Sequence, residues 1–429
     1  MSQVPDKEPY SREIHQFKTT PSMNPIRIDN YCFDRIHLWV RYDKDRIGYT
    51  ELALEVFYPA DRKANGLLMF NHGFLIGDDL LYFPKKLLCT FFNNDCPLFK
   101  KNPSEYYNYT SAIVERNWAF ACVTACHKEN EVMPWTDFGG NPRVGQEAYT
   151  AASYLIRYGA TNMFHNESAV DKARFMVNNR VVFAGHSVGG AHAQAAATGF
   201  VNLQAIGEAT GVRYNPVVYD REILPYHTEP LASWPEEYLA DPVGLVQLSP
   251  VDMTQKALNF GMAPYRNALS TIPMPILMII GQCDCAARKD STPPAWSPDD
   301  QVETQFTEEA PSDGDSWAVV ANVERGSHCG YLTRKNLLCT QADNASCGLC
   351  DADKGYQADG DETRFTVELF RRFLALFPDE GGFDGDFCQW IESPFMTWLN
   401  NASPDGSVSL VPFGGGDDYI DYTGKDRCA

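Results

Sequence analysis

The sequence predicts an α/β fold: a mostly parallel central sheet with helices on both faces and inserted lid-like segments. Three observations lead there. Short apolar runs closed by turn residues recur, as in Leu67-Leu68-Met69-Phe70 and Ile276-Leu277-Met278-Ile279-Ile280. A run without polar alternation suits a strand buried on both faces. Segments with helical spacing stand between such runs, and strands alternating with helices imply parallel pairing. Around residue 187, a β-branched run stops at Gly185 and an Ala-rich segment from Ala191 to Ala197 follows, with Gly185-His186-Ser187-Val188-Gly189 between them.

Taken in order, residues 1–49 read as an N-terminal arm, polar and Pro-containing over 1–30. Leu52, Leu54, Val56 and Tyr58 then alternate with their neighbours as a strand ended by Pro59. The run Leu67–Phe70 forms the next strand, closed by Asn71-His72-Gly73-Phe74. Residues 75–102 look like an insertion. Ser104 can cap a helix reaching Arg116, since its hydroxyl accepts from free N–H groups. Trp118 to Ala125 reads as a strand and 127–145 as a loop containing Trp135. Ala148, Ala151, Leu155 and Tyr158 keep helical spacing.

After the Ala-rich segment, residues 203–240 lack periodicity and read as a second insertion or lid. Strands are expected at Val243–Leu248, Ile276–Ile280 and Trp317–Ala321, and a last helix through Val367, Phe370 and Leu374 before Pro378. One catalytic domain thus spans 50–376, and 377–429 is expected to be an irregular extension.

The segment Gly-x-Ser-x-Gly between a strand and a helix is the sequence form of a nucleophile elbow. A strand that turns sharply into a helix lifts the middle side chain above the sheet, and small residues on either side let the two elements approach. Ser187 would then stand at a helix N-terminus, which favours developing negative charge. A serine hydroxyl needs a base, and the base needs an orienting acid. Both are expected past strand ends downstream. Asp284 follows Gly281 after one strand, and His328 follows Gly326-Ser327 after the next. Asp252, in Ser249-Pro250-Val251-Asp252, is the competing acid. The two oxyanion donors are read as the backbone N–H groups of Val188 and Phe74. His72 and His186 are read as structural, each able to bond backbone beside a tight turn. Phe74 and Trp135 are the candidate lining of an apolar substrate site.

Together, Asn71-His72-Gly73-Phe74, Gly185-His186-Ser187-Val188-Gly189-Gly190, Gly281-x-x-Asp284 and Gly326-Ser327-His328 resemble the α/β-hydrolase superfamily over roughly 50–376. Within it the chain is similar to the dienelactone-hydrolase-like branch of chlorophyllases, platelet-activating-factor acetylhydrolases and cutinase-type polyester hydrolases. It departs from chlorophyllases in carrying Val188 where they have Arg. The resemblance implies Ser187 as nucleophile, His328 as base, Asp284 as acid, and Phe74 and Val188 as oxyanion donors. The expected activity is hydrolysis of a neutral or apolar ester, as a small molecule, lipid or polymer, through an acyl-enzyme. An amidase, peptidase or acyltransferase would use the same groups, and a catalytically silent binding protein is the alternative of a different class.

Composition narrows the partners. With 36 Lys and Arg against 56 Asp and Glu, the net charge is −20, which disfavours nucleic acid and anionic membranes. No apolar run approaches the ~20 residues of a membrane span. A monomer without cofactor is expected. Thirteen cysteines and sequons at Asn108, Asn166, Asn344 and Asn401 point to disulfides and an extracellular location, with a cytoplasmic one as the alternative; the polar N-terminus shows no signal-peptide core.

A disulfide through Cys283 or Cys285 would pin the loop bearing Asp284. Cys347-x-x-Cys350 lacks an obvious fourth zinc ligand. Residues 351–362 have calcium-loop spacing, but Tyr356 stands where the turn needs Gly, so no metal site is expected.

Overall fold

The computed structural model describes residues 26–28, 31–41, 49–73, 103–127, 145–161, 177–209, 214–219, 229–250, 274–281, 284, 317–323, 326–332, 361–378, 387–402 and 408–412. Among the described residues, eleven strands form one sheet: β1 (Ile26–Ile28), β2 (Tyr31–Arg41), β3 (Tyr49–Pro59), β4 (Leu67–Asn71), β5 (Ala119–His127), β6 (Arg180–His186), β7 (Val217–Tyr219), β8 (Asp241–Leu248), β9 (Pro275–Gly281), β10 (Trp317–Val323) and β11 (Val408–Pro412). Their spatial order is β1-β2-β3-β5-β4-β6-β8-β9-β10-β11, with β7 paired to β2. From β5 through β10 every neighbouring pair is parallel. The flanks β1-β2-β3 and β11 are antiparallel.

The unalternating runs divide residue by residue between two cores, as the period of two requires. Met69, Val181, Phe183, Ile276 and Met278 face one core; Leu68, Phe70, Val182, Ala184, Leu277 and Ile279 face the other. The first is covered by α2 (Gln146–Thr161) and α3 (Val188–Ala197), which α4 (Gly199–Ala209) extends. The second is covered by α1 (Thr110–Glu115), α5 (Asp361–Phe373), α6 (Phe387–Glu392) and α7 (Pro394–Ala402). Each fully buried Val or Phe of β6 contributes about 1.5–3 kcal/mol through removal from water. In α3 the buried Ala193, Ala195, Ala196 and Ala197 keep the helix close to the sheet.

Several expectations need correction. The sheet starts inside the stretch read as an arm, because β2 pairs with β3 from Tyr31↔Pro59 to Arg41↔Tyr49. Its Ile36, Leu38 and Val40 are buried at a spacing of two, a half-buried strand's pattern. The region after 376 is regular where described. Trp390, Phe395, Met396 and Leu399 are buried under the second core, and β11 closes the sheet on β10. The helix expected from Ser104 begins instead as a 3₁₀ segment, Pro103–Tyr109, with the α-helix only at Thr110–Glu115. Tyr106 and Tyr109, both fully buried, lie three residues apart, the spacing that a 3₁₀ turn aligns.

The described parts of 203–240 are built into the body. Leu231 and Trp234 are buried, the Arg157 guanidinium lies 4.4 Å over the Trp234 ring, and the Tyr149 hydroxyl donates to the Ala240 carbonyl at 2.7 Å. The other insertion, 75–102, lies outside the described residues. No helix among the described residues is long and apolar enough to cross a membrane.

Candidate active site

Four of the residues singled out in the sequence lie at one edge of the parallel strands. Asn71, Ser187, Asp284 and His328 all lie at or just beyond the C-terminal ends of β4, β6, β9 and β10. That edge is where open parallel sheets hold their ligands.

Ser187 sits between β6 and α3 with φ 56° and ψ −126°, a left-handed conformation that a side chain disfavours. The surroundings hold it there. Its N–H donates to the Leu248 carbonyl at 2.9 Å, and its own carbonyl accepts from the Gly190 N–H at 2.9 Å. A Cβ on Gly185 would collide with the backbone of Gly189, and one on Gly189 with the backbone of Asn71. Gly185→Ala is therefore expected to destabilise the protein by about 3 kcal/mol or more, since backbone on backbone cannot yield as a side chain can. Urea unfolding would read this as a lowered midpoint. Val188 opens α3, so its N–H belongs to the first turn, where intrahelical acceptors are lacking.

A parallel sheet whose central strand turns through a strained serine into a covering helix decides the architecture. The fold is that of the α/β-hydrolases.

Around the elbow, Asp284 is turned back toward its strand by an N–H bond to the Gly281 carbonyl at 2.9 Å. His328 lies in a tight loop in which the Gly326 N–H donates to the Val323 carbonyl at 2.9 Å. The two loops touch through backbone, because a Cβ on Gly281 would come within 2.6 Å of the Gly326 carbonyl carbon. The His328 Nδ1–H donates to Asp284 Oδ2 at 2.8 Å, with the carboxylate side chain fully buried and the imidazole nearly so. A carboxylate only accepts, so the neutral ring carries its proton on Nδ1 and its lone pair on Nε2. Among the described residues, no hydrogen bond reaches the Ser187 hydroxyl. The competing Asp252 lies outside the described residues, as do Phe74, Trp135, Cys283 and Cys285.

His186, beside the nucleophile candidate, is fully enclosed. Its Nε2–H donates to the His328 carbonyl at 2.7 Å, and the Tyr106 hydroxyl donates to its Nδ1 at 2.8 Å. The Tyr106 oxygen in turn accepts from the Gly73 N–H at 3.1 Å. His72 donates from Nδ1 to the Gly73 carbonyl at 2.9 Å. Both histidines thus bond backbone, as their turn positions suggested. Tyr106 is the residue that sequence reading missed. It lies 80 residues from His186, and nothing local to the Tyr106-Tyr107-Asn108-Tyr109 stretch announces the contact.

Burial holds His186 neutral and lowers its pKa to about 3, with the neighbouring His328 acting in the same direction. Burial also pushes the Tyr106 hydroxyl well above its ordinary range. In the unfolded chain a histidine titrates near 6.5, so between pH 6.5 and 3 the unfolded state binds the extra proton. Stability from this group is complete above pH 6.5 and is lost as pH falls toward 3. From pH 6.5 to 4.5, unfolding free energy should fall about 2–3 kcal/mol more in the wild type than in His186→Gln, measured by urea titration at each pH. Equal slopes would show that His186 does not carry this dependence.

Cys329, adjacent to His328, and Cys388 in α6 are each disulfide-bonded. Cys122 is a buried free thiol. No group of three or more His, Cys, Asp or Glu side chains among the described residues is placed to hold a metal ion. Of the calcium-like stretch, only Asp361 and Glu362 are described, in the first turn of α5. The cysteines considered for zinc, Cys347 and Cys350, lie outside the described residues.

No family model and no curated protein matches the chain. Among solved structures, it is similar to an esterase domain of a Rhodothermus marinus protein, at 11% identity over 80% of this chain and 97% of that one, with a TM-score of 0.35. Est1E of Butyrivibrio proteoclasticus matches at 10% identity over 79% of this chain and 97% of that one, with a TM-score of 0.33. A thermostable esterase of Pseudomonas putida ECU1011 matches at 12% identity over 81% and 84%, with a TM-score of 0.37. The fold assignment itself rests on the strand order and the elbow.

Proposed function

We propose that this protein is a serine carboxylic-ester hydrolase of the dienelactone-hydrolase-like branch. Ser187 attacks the ester carbonyl while His328 Nε2 takes its proton and passes it to the leaving alcohol. Water then repeats the cycle on the acyl-enzyme. Asp284 keeps the imidazole in the required tautomer and stabilises the imidazolium. The N–H groups of Val188 and Phe74 receive the oxyanion.

The observation that carries the reading is the buried Asp284–His328 hydrogen bond, at 2.8 Å, at the same sheet edge as a serine held at positive φ. Strain of this kind persists only where surrounding structure enforces it, and it clusters at functional sites. The net charge of −20 suits a neutral or apolar ester better than an anionic one. The disulfide-bonded state of Cys329 and Cys388 supports an oxidising, extracellular location.

The test is hydrolysis of p-nitrophenyl esters from acetate to dodecanoate, comparing wild type with Ser187→Ala. Turnover confined to the wild type is expected, and the preferred acyl length sizes the acyl site. Equal rates in both proteins, or no turnover by the wild type on any ester, would overturn the reading.

A further inference from the structure

The elbow, the loop after β4 and the loop after β10 are joined by a line of hydrogen bonds that the proposed chemistry does not itself use. Four separate segments supply it: Gly73 after β4, Tyr106 in the 3₁₀ segment, His186 at the end of β6, and His328 after β10. The distances are 3.1, 2.8 and 2.7 Å. The direction of every bond is determined. A backbone carbonyl only accepts, so the link to His328 requires the His186 proton on Nε2. Nδ1 is then an acceptor, the Tyr106 hydroxyl must donate to it, and the phenol oxygen is left to receive the Gly73 N–H.

We infer that Tyr106 and His186 are positioning residues that hold the backbone of His328 and of Gly73 in register with Ser187. This inference rests on the ester-hydrolase reading of the same site. Packing alone does not explain the pair, because an apolar ring would fill the space without using either ring nitrogen. The fit leaves little slack. Tyr106 and His186 are both buried, their ring centroids lie 5.9 Å apart, and the His186 and His328 rings lie 5.0 Å apart. A Cβ on Gly73 would come within 2.8 Å of His186 Nδ1. His186 is covalently next to the nucleophile and hydrogen-bonded to the backbone of the base, so loss of its donor frees the base loop relative to the elbow. Displacement of a reacting group by about 1 Å can cost 10²-fold in rate.

The line is tested with Tyr106→Phe, His186→Phe and His186→Gln, each assayed per active site titrated with a fluorophosphonate probe. Titration removes any misfolded fraction from the comparison. Tyr106→Phe is expected to lower kcat about 10-fold or more with KM within about twofold, and to weaken binding of a boronic acid that forms a tetrahedral serine adduct by a similar factor. His186→Phe, which keeps a ring but no donor, is expected to lose about 100-fold. His186→Gln offers an amide N–H to the His328 carbonyl and should recover most of that loss. A loose scaffold alone would reduce the number of titratable sites, not the rate at each.

Per-site kcat within twofold of wild type for both Phe variants would overturn the inference, as would equal losses in His186→Phe and His186→Gln. A wild-type protein that takes no probe on Ser187 would instead overturn the hydrolase reading, so the two failures are distinguishable.

Discussion

Ser187→Ala is expected to lower kcat on its best p-nitrophenyl ester by about 10⁴–10⁶-fold, with the midpoint of unfolding unchanged within a degree or two. The two halves of this result have different causes. The rate falls because, in the proposed mechanism, the acyl bond forms on the Ser187 hydroxyl, and without it oxyanion stabilisation and binding remain. Stability is retained because the hydroxyl makes no hydrogen bond among the described residues, while the backbone that holds the turn is untouched. Ala also keeps the Cβ and therefore the positive-φ strain already present at φ 56°. Burst kinetics supply a second readout: an initial release of p-nitrophenol equal to the enzyme concentration in the wild type and no burst in the variant. A variant retaining more than a tenth of wild-type activity would place the nucleophile elsewhere.

Asp284→Asn is expected to lower kcat about 10³–10⁴-fold without loss of stability. The amide is nearly isosteric with the carboxylate, but its NH₂ can donate to His328 Nδ1. That switches the imidazole proton to Nε2, the atom that accepts from Ser187 in the proposed mechanism. It also removes the negative charge that faces the developing imidazolium. Folding has less at stake, because a fully buried carboxylate carries a desolvation cost that an amide largely avoids. Thermal unfolding at pH 7 should therefore show an equal or higher midpoint beside the loss of turnover. Near wild-type kcat in Asp284→Asn would transfer the orienting role to another carboxylate, and Asp252 is the one whose sequence position suits it.

The difference between what was legible and what was not follows the range of the interactions. The buried strands, the elbow and the order Ser187, Asp284, His328 were readable because each is encoded in a few adjacent residues. Apolar runs mark doubly buried strands, glycines mark close backbone approach, and an Ala-rich segment marks the helix against the sheet. β2 was obscured because charged and aromatic residues, such as Arg35, His37 and Trp39, interleave with its apolar positions. Its membership in the sheet depends on pairing with β3. The two tail helices were hidden by the Gly- and Asp-rich residues around them, and the packing of Trp390 and Phe395 against Phe373 reveals their purpose.

By itself, then, the sequence determined the fold class and the candidate chemistry: a parallel sheet, a serine at a strand-to-helix turn, and an acid and a histidine past later strands. Only the tertiary structure decided which atoms meet. The hydrogen bond from His328 to Asp284 spans 44 residues, that from Tyr106 to His186 spans 80, and that from His186 to the His328 carbonyl spans 142. Local periodicity and turn chemistry act over a few residues, whereas these distances close only when the strand order of the sheet brings its loop ends to one edge.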